Sequence, residues 1–168
     1  MHNTVKVAVD AMGGDNAPLE IVKGAVEAVN EKDGIQVFLV GIKEAVDAEL
    51  AKYSYDKSKI TVVPASEVIS NNESPTLAIR RKKDSSIVVA LNMVKRGEAD
   101  AFVSAGSTGA VLVGAQAIAG RIKGVERPPL APLIPTTKGS SLLVDCGANV
   151  DARPSHLVAF AKMGSIYM

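Results

Sequence analysis

The sequence has few of the residues on which several common kinds of site depend. Among 168 residues there is one cysteine, Cys146, so no disulfide can form within the chain and we expect a reducing, cytoplasmic setting. There is no Trp, and Tyr and Phe number three each, which argues against base-stacking platforms for nucleic acid. The formal net charge is +1, whereas a general nucleic-acid binder is usually strongly basic. The only histidines, His2 and His156, are too far apart in sequence to indicate a metal cluster.

Long apolar runs are also missing. The longest, residues 110–119, is interrupted by Gly114 and Gln116 and is too short to span a bilayer. The N-terminal residues show no signal-peptide pattern. We therefore expect any association with a membrane to be peripheral.

What is present is typical of a globular α/β protein, with 47% hydrophobic and 22% charged residues. Apolar alternation and helical spacing predict strands that alternate with helices, and this order favours one α/β domain over residues 1–168 with a mostly parallel sheet. Residues 125–140, with four prolines, are predicted to be loop or broken strand. The predicted strands are 5–10, 35–41, 59–65, 99–105 and 141–147, and the predicted helices are 18–30, 43–52, one from Pro75, one from Ser85 or Ser86 to Gly97, 108–119 and one from 155.

The last predicted helix has no C-cap and no breaker after it. We therefore expect that the natural protein continues and that this chain is a fragment of a longer catalytic chain.

Three polar, glycine-containing loops follow predicted strands, at residues 10–18, 104–110 and 145–154. Open α/β sheets place their ligands outside the carboxyl ends of their strands, so we expect the three loops to converge on one cleft. Ordinary turn chemistry is the alternative for each loop.

The loop at 104–110, SAGSTGA, offers backbone N–H groups and hydroxyls to an anion at the start of a helix. It has neither the G-x-x-x-x-G-K-[ST] pattern of a P-loop nor the dinucleotide G-x-G-x-x-G. A sharp turn between strand and helix is the other interpretation of its glycines.

Arg80, Arg81, Lys82 and Lys83 form a basic run. A solvated helix face is the usual meaning of such a run, and attraction of phosphate or of an acidic protein is the alternative. We interpret His156 as a residue of the first turn of a helix and Cys146 as a small buried residue at a strand end.

Five ordered blocks, VAVDAMGGDNAP, ESPTLAIRRKKDSS, ADAFVSAGSTGA, GRIKGVERPPLAP and DCGANVDARPSHL, closely resemble the phosphate acyltransferase family of bacterial phospholipid synthesis, PlsX. The resemblance runs from Val7 to Tyr167. It implies an enzyme that transfers a fatty acyl group from acyl carrier protein to inorganic phosphate, giving acyl phosphate for phospholipid synthesis. It also implies a homodimer, no cofactor, no catalytic metal and no nucleic-acid partner.

The same resemblance implies a fold similar to isocitrate and isopropylmalate dehydrogenases. Family members are roughly double this length, so the chain would be their N-terminal half, and the other half would hold much of the dimer contact and the membrane-associating helices. The sequence departs from the family pattern at Ser107, where members usually have Asn, and at Cys146, where many have an aliphatic residue.

From this resemblance we assign candidate roles to the loops. Residues 106–109 would cradle phosphate or the oxyanion, residues 10–15 would form the facing wall, and Asn149 would supply a further donor. Residues 80–83 would supply cationic donors or meet acyl carrier protein, and Val111 to Ala119 would line an acyl path or simply pack in the core. The candidates are Asp10, Asp15, Thr108 and Asn149 as catalytic residues, Gly13, Gly14, Gly106, Ser107 and Gly109 as phosphate or oxyanion binders, and Arg80, Arg81, Lys82 and Lys83 as basic contacts.

Two rival functions stay open on the sequence alone. One is a phosphate acyltransferase of related fold that uses coenzyme A thioesters. The other is a non-catalytic fragment that binds phosphate or a partner.

Overall fold

The structure is a computed structural model that describes residues 4–168, so His2 lies outside the described residues. The chain divides into two compact units, Met1–Gly120 and Arg121–Met168. The expectation of a single domain over residues 1–168 stays a prediction.

The first unit is built on a four-stranded parallel sheet of β1 Val5–Asp10, β2 Ile35–Gly41, β3 Ile60–Pro64 and β4 Ala101–Val103. The strand order is β3-β2-β1-β4. In its register Val7 of β1 lies beside Val37 of β2 and Ala101 of β4. The predicted α/β class with a mostly parallel sheet is confirmed. The strand β4 is shorter than the predicted strand 99–105.

Helices cover both faces of this sheet, because alternate residues of each strand point to opposite faces. On one face Leu39 packs with Val22 and Val46 of two helices, and on the other Ala8 and Val40 pack with a third. The helices of the unit lie close to the predicted ones: α1 Leu19–Glu31, α2 Lys43–Leu50, α3 Pro75–Arg81, α4 Ser86–Lys95 and α5 Thr108–Gly114.

The predicted helix 108–119 is α-helical only to Gly114 and continues as a π-helical turn, Ala115–Ala119. A Cβ atom at Gly114 would lie 2.6 Å from Cδ1 of Leu91, so the absence of a side chain lets α5 approach α4 closely. Val111, Val113 and Ile118 pack against a buried cluster that includes Ile79 and Ile87. Core packing, the alternative to an acyl path, therefore describes these side chains.

The second unit contains an antiparallel hairpin and one helix. Its strands are β5 Leu133–Thr136 and β6 Gly139–Leu142, and the helix is α6 Pro154–Tyr167. The predicted helix from 155 is confirmed, and His156 lies in its first turn as expected.

The predicted strand 141–147 is wrong beyond Leu142. After Leu142 the chain still lies beside residues 130–132, since the N–H groups of Leu143 and Cys146 donate to the carbonyls of Pro132 and Leu130, but it no longer forms a strand. The carboxylate of Asp145 accepts hydrogen bonds from the backbone N–H groups of Leu130 and Asn149, which draw the segment into a loop. Cys146 is exposed in that loop, so its expected burial at a strand end is also wrong.

Within residues 4–168, no helix combines the length and the apolar character needed to cross a membrane.

Candidate anion-binding site

The loops that follow β1 and β4 meet at the carboxyl end of the sheet. Asp10, the last residue of β1, is 1% exposed, and its Oδ2 accepts a hydrogen bond from Oγ of Ser104 at 2.8 Å. Its Oδ1 accepts a second from the N–H of Met12 at 3.1 Å. Because a buried carboxylate is costly unless it is hydrogen-bonded, Asp10 holds both loops in a fixed relation.

Ser104 extends this link into the second loop. Its hydroxyl donates to Asp10 and accepts the backbone N–H of Gly106 at 3.0 Å. Sequence reasoning did not single out Ser104, although it comes directly after β4, as Asp10 ends β1. The N–H of Gly106 is therefore engaged within the loop. A role of Gly106 in the site would come from its lack of a side chain, which lets Gly13 lie close to it.

The close approach of the two loops depends on glycine at position 13. A Cβ atom there would lie 2.4 Å from Oδ2 of Asp10 and 2.8 Å from the backbone nitrogen of Gly106. Gly14, beside it, has a φ of +108°, which L side chains rarely adopt, and faces Ala105. Both glycines are thus needed to shape the first loop, and Asp15 after them is exposed.

The second loop ends in the first turn of α5. Ser107 is the N-cap residue, and its Oγ accepts the N–H of Ala110 at 3.3 Å. In the described part of the chain, the backbone N–H groups of Ser107, Thr108 and Gly109 have no protein acceptor. A Cβ atom at Gly109 would lie 2.7 Å from Cγ of Pro75, so the start of α3 borders the same place. Consecutive free donors at a helix start favour a bound anion.

Two of the four residues in the basic run, Lys82 and Lys83, use their side chains in hydrogen bonds within the chain. Nζ of Lys82 donates to Oε1 of Glu73 at 2.7 Å and to the carbonyl of Val68, and Nζ of Lys83 donates to the carbonyl of Ile79. The hydrogen bond from Lys82, followed by one from the N–H of Ser70, lowers the pKa of the Glu73 carboxyl.

Arg80 and Arg81 are exposed, and neither makes a side-chain hydrogen bond or ion pair among residues 4–168. These two of the four cations are therefore available to another molecule.

In the second unit, Asp145 and Asn149 hold their own loop together. Nδ2 of Asn149 donates to the carbonyl of Pro128 and to Oδ2 of Asp145, each at 3.1 Å. Desolvation raises the pKa of the Asp145 carboxyl, but the N–H groups of Leu130 and Asn149 outweigh it, so the pKa lies below its ordinary value. The amide of Asn149 is thus engaged within the loop, and its role as a donor to substrate stays a prediction.

His156 is a buried capping residue of α6. It is 3% exposed, and its Nδ1 accepts the backbone N–H of Arg153 at 3.1 Å, while Nε2 lies 3.1 Å from Oε2 of Glu126. Across residues 4–168, no group of three or more His, Cys, Asp or Glu side chains is placed to hold a metal ion.

Comparison with known proteins identifies the family of this chain. A family model described as fatty acid synthesis protein matches residues 5–168. The chain belongs to the fatty acid synthesis protein family. It is 57% identical to a phosphate acyltransferase of Clostridium beijerinckii and 55% identical to one of Clostridium novyi, in each case over 97% of this chain and 49% of the relative. The chain thus spans about half the length of the curated relatives that it matches.

A phosphotransacetylase from Streptococcus pyogenes has a similar fold, with a TM-score of 0.70, 18% sequence identity, and coverage of 94% of this chain and 51% of that one. At that identity the likeness concerns the fold alone.

The resemblance that five sequence blocks indicated is confirmed by the family match. Of the three predicted loops, those at 10–18 and 104–110 come together through Asp10, Ser104 and Gly13. The third belongs to the second unit, and its convergence on the same cleft stays a prediction.

Proposed function

We propose that the chain carries the phosphate-binding part of a phosphate acyltransferase, which transfers a fatty acyl group from acyl carrier protein to inorganic phosphate and yields acyl phosphate. The observation that carries the proposal is the second of two loops that Asp10 and Ser104 join. In this second loop and the first turn of α5, the N–H groups of residues 107–109 have no protein acceptor among the described residues. The clostridial relatives are phosphate acyltransferases by name, which supports the general activity and leaves the acyl donor and the product as parts of the proposal.

In the proposed reaction, a phosphate oxygen attacks the carbonyl carbon of the thioester. A C–O bond forms, the C–S bond breaks, and the sulfur of the carrier leaves as a thiolate that takes up a proton. Phosphate is already anionic near neutral pH, so the nucleophile needs no strong base. The demand on the protein is to hold phosphate and the developing oxyanion together.

The N–H groups of Ser107, Thr108 and Gly109 would meet that demand, with the hydroxyl of Thr108 as a further donor. One well-placed oxyanion donor contributes about 2.7–4 kcal/mol to transition-state stabilisation. Fixing two reactants in a productive orientation contributes about 7–11 kcal/mol.

In this proposal Asp10 is a positioning residue, whereas the sequence analysis placed it among the catalytic candidates. Because its carboxylate is buried and takes hydrogen bonds from Ser104 and Met12, it positions the loops. Asp15 is exposed at the rim of the first loop and is the carboxylate that can reach a substrate.

Acyl carrier protein is acidic as a class, and the exposed Arg80 and Arg81 are the proposed contacts for it. Lys82 and Lys83 would support them by fixing the end of α3 through Glu73 and Ile79. A homodimer, a cytoplasmic location with peripheral membrane contact, and a fold akin to the isocitrate and isopropylmalate dehydrogenases are further parts of the proposal that rest on the sequence resemblance.

The proposal is tested by incubating the chain with palmitoyl acyl carrier protein and measuring thiol release with and without inorganic phosphate, while hydroxylamine traps acyl phosphate. Release that requires phosphate and yields the hydroxamate is the expected result. Equal release from palmitoyl coenzyme A would favour the coenzyme A alternative. No release by the folded chain, with release by the full-length Clostridium beijerinckii enzyme, would leave this chain a binding fragment.

A further inference from the structure

Lys82, at the C-terminal end of α3, is bonded back to the segment that leads into the start of the same helix. Its Nζ donates to the carbonyl of Val68 at 2.6 Å and to Oε1 of Glu73 at 2.7 Å. The same carboxylate oxygen accepts the backbone N–H of Ser70 at 2.7 Å. One ammonium group thus ties together both ends of the segment 68–73.

The core holds this segment on its other side. Ile69 is buried in the cluster that contains Ile79 of α3 and Ala110 of α5. The side chains of Lys82 and Glu73 are only 30% and 32% exposed. Because the ion pair is partly shielded from water and belongs to a network with two backbone groups, it constrains the segment more than an isolated surface pair would.

The start of α3 forms one wall of the candidate anion-binding site. Pro75, two residues after Glu73, lies so close to Gly109 that a Cβ atom on Gly109 would be 2.7 Å from Cγ of Pro75. Gly109 carries one of the three backbone N–H groups that have no protein acceptor among residues 4–168. Since the two residues are in contact, a shift of Pro75 would change the surroundings of this donor.

Resting on the proposed function, we propose that Lys82 is a positioning residue for phosphate binding: through Glu73 and the carbonyl of Val68 it holds Pro75 against Gly109, and it does not itself contact phosphate. An ammonium group has three N–H donors, and protein acceptors within the chain already take two of those of Lys82. The sequence analysis placed Lys82 among the cationic contacts, so the proposal gives it a different role.

Lys82→Met removes the ammonium group and keeps an unbranched side chain. The amide signal of Gly109 should shift in the phosphate-free, isotopically labelled chain. The dissociation constant for inorganic phosphate, measured by titration of the same sample, should rise at least about fivefold, the lower end of the usual coupling between linked sites.

Lys59→Met is the matched control, because Lys59 makes the same kinds of contact outside the site. Its Nζ donates to the carbonyl of Val29 and to the carboxylate of Asp33, and its side chain is 27% exposed. The substitution removes the same charge and should leave phosphate affinity and the Gly109 signal as in the parent chain. Equal weakening by the two variants would show that net charge alone explains the effect, and would overturn the inference.

Glu73→Ala separates positioning from direct contact by the sign of its effect. If Lys82 positions Pro75 through Glu73, this variant binds phosphate more weakly, although it removes a negative charge. Weakening in Glu73→Ala, with no further loss in the double variant Glu73→Ala, Lys82→Met, is the expected result. Tighter binding by Glu73→Ala would mean that the released ammonium group of Lys82 contacts phosphate, which contradicts the inference.

The same samples distinguish this inference from the proposed function. If the parent chain shows no saturable phosphate shifts, while Lys82→Met and Glu73→Ala both displace the Gly109 signal, the positioning of Pro75 stands and the proposed phosphate site fails. If the parent chain binds phosphate at residues 107–109, and both variants bind it as tightly with unchanged unfolding midpoints, the phosphate site stands and the inference fails.

Discussion

The hydroxyl of Ser104 donates a hydrogen bond to the carboxylate of Asp10 at 2.8 Å, across 94 residues of the chain. This contact joins the ends of two neighbouring parallel strands, and the same hydroxyl accepts the N–H of Gly106. One serine therefore sets the relation between the first loop and the backbone that leads into α5.

Ser104→Ala tests that contact. The change leaves the buried carboxylate of Asp10 without one donor and the N–H of Gly106 without its acceptor. Hydrogen bonds to charged groups contribute about 1.5–3 kcal/mol, and we expect the free energy of unfolding to fall by that amount. Chemical denaturation of both proteins measures it.

Ser58→Ala is the matched control, because it removes a serine-to-aspartate hydrogen bond of 2.7 Å that is exposed. It should lower stability much less, since water replaces an exposed partner. Equal losses in the two variants would show that the Asp10–Ser104 contact has no special importance.

Gly13→Ala tests the close approach of the loops. The added methyl group would lie 2.4 Å from Oδ2 of Asp10 and 2.8 Å from the backbone nitrogen of Gly106, so the loops must separate. Overpacking of this kind costs about 1–3 kcal/mol. We expect a lower unfolding midpoint and weaker binding of inorganic phosphate.

Gly24→Ala is the control for this substitution, since its added Cβ meets no atom within 4 Å. Stability should rise by about 0.5–1 kcal/mol, the usual difference between alanine and glycine in a helix. A Gly13→Ala protein that is as stable as the parent would contradict the close contact.

The exposed arginines of the basic run give a prediction about acyl carrier protein. Arg80→Glu with Arg81→Glu should raise the dissociation constant for the carrier at low salt, and the difference should shrink as salt screens the charges. Titration calorimetry at two ionic strengths measures both effects.

Lys57→Glu with Lys95→Glu changes the net charge equally and alters exposed lysines outside the run. This control should affect carrier binding less. If the two double variants behave alike, net charge alone explains the binding and the basic run has no specific contact.

Asp145 gives a pH dependence. Its pKa in the folded chain lies below its ordinary value, so the unfolded chain takes up the proton first as the pH falls. Its contribution to stability is therefore complete above the ordinary aspartate value of about 3.9 and is lost as the pH drops through the lower folded value. Asp145→Asn should flatten the decline of stability in that acid range, as measured by thermal unfolding at a series of pH values. A decline as steep as that of the parent chain would show that other carboxylates account for it.

The sequence predicted the first unit well because local patterns decide it. Short apolar runs such as Ile35–Gly41 and the apolar spacing of α1 specify a strand and a helix with little help from distant residues. The glycines of the first loop were also recognisable, since Gly13 and Gly14 lie in the polar loop that follows the first strand.

Where long-range contacts decide the structure, the sequence pattern was insufficient. LLVDCG has the composition of a buried strand, yet the backbone N–H groups of Leu130 and Asn149 donate hydrogen bonds to the carboxylate of Asp145 and turn the segment into a loop. The role of Ser104 depends on its hydrogen bond to Asp10, 94 residues away. Lys82 of the basic run is engaged only because the carbonyl of Val68 and the carboxylate of Glu73 lie beside it. No local periodicity carries that information.

The most direct measurement is a titration of the isotopically labelled chain with inorganic phosphate, followed by the shifts of its backbone amide signals. Saturable shifts that are largest at Ser107, Thr108 and Gly109, and that weaken in Ser104→Ala, are the predicted result. Saturable shifts centred on Arg80 and Arg81 instead, or the absence of saturable shifts in the folded chain, would contradict a phosphate site at the loops after β1 and β4.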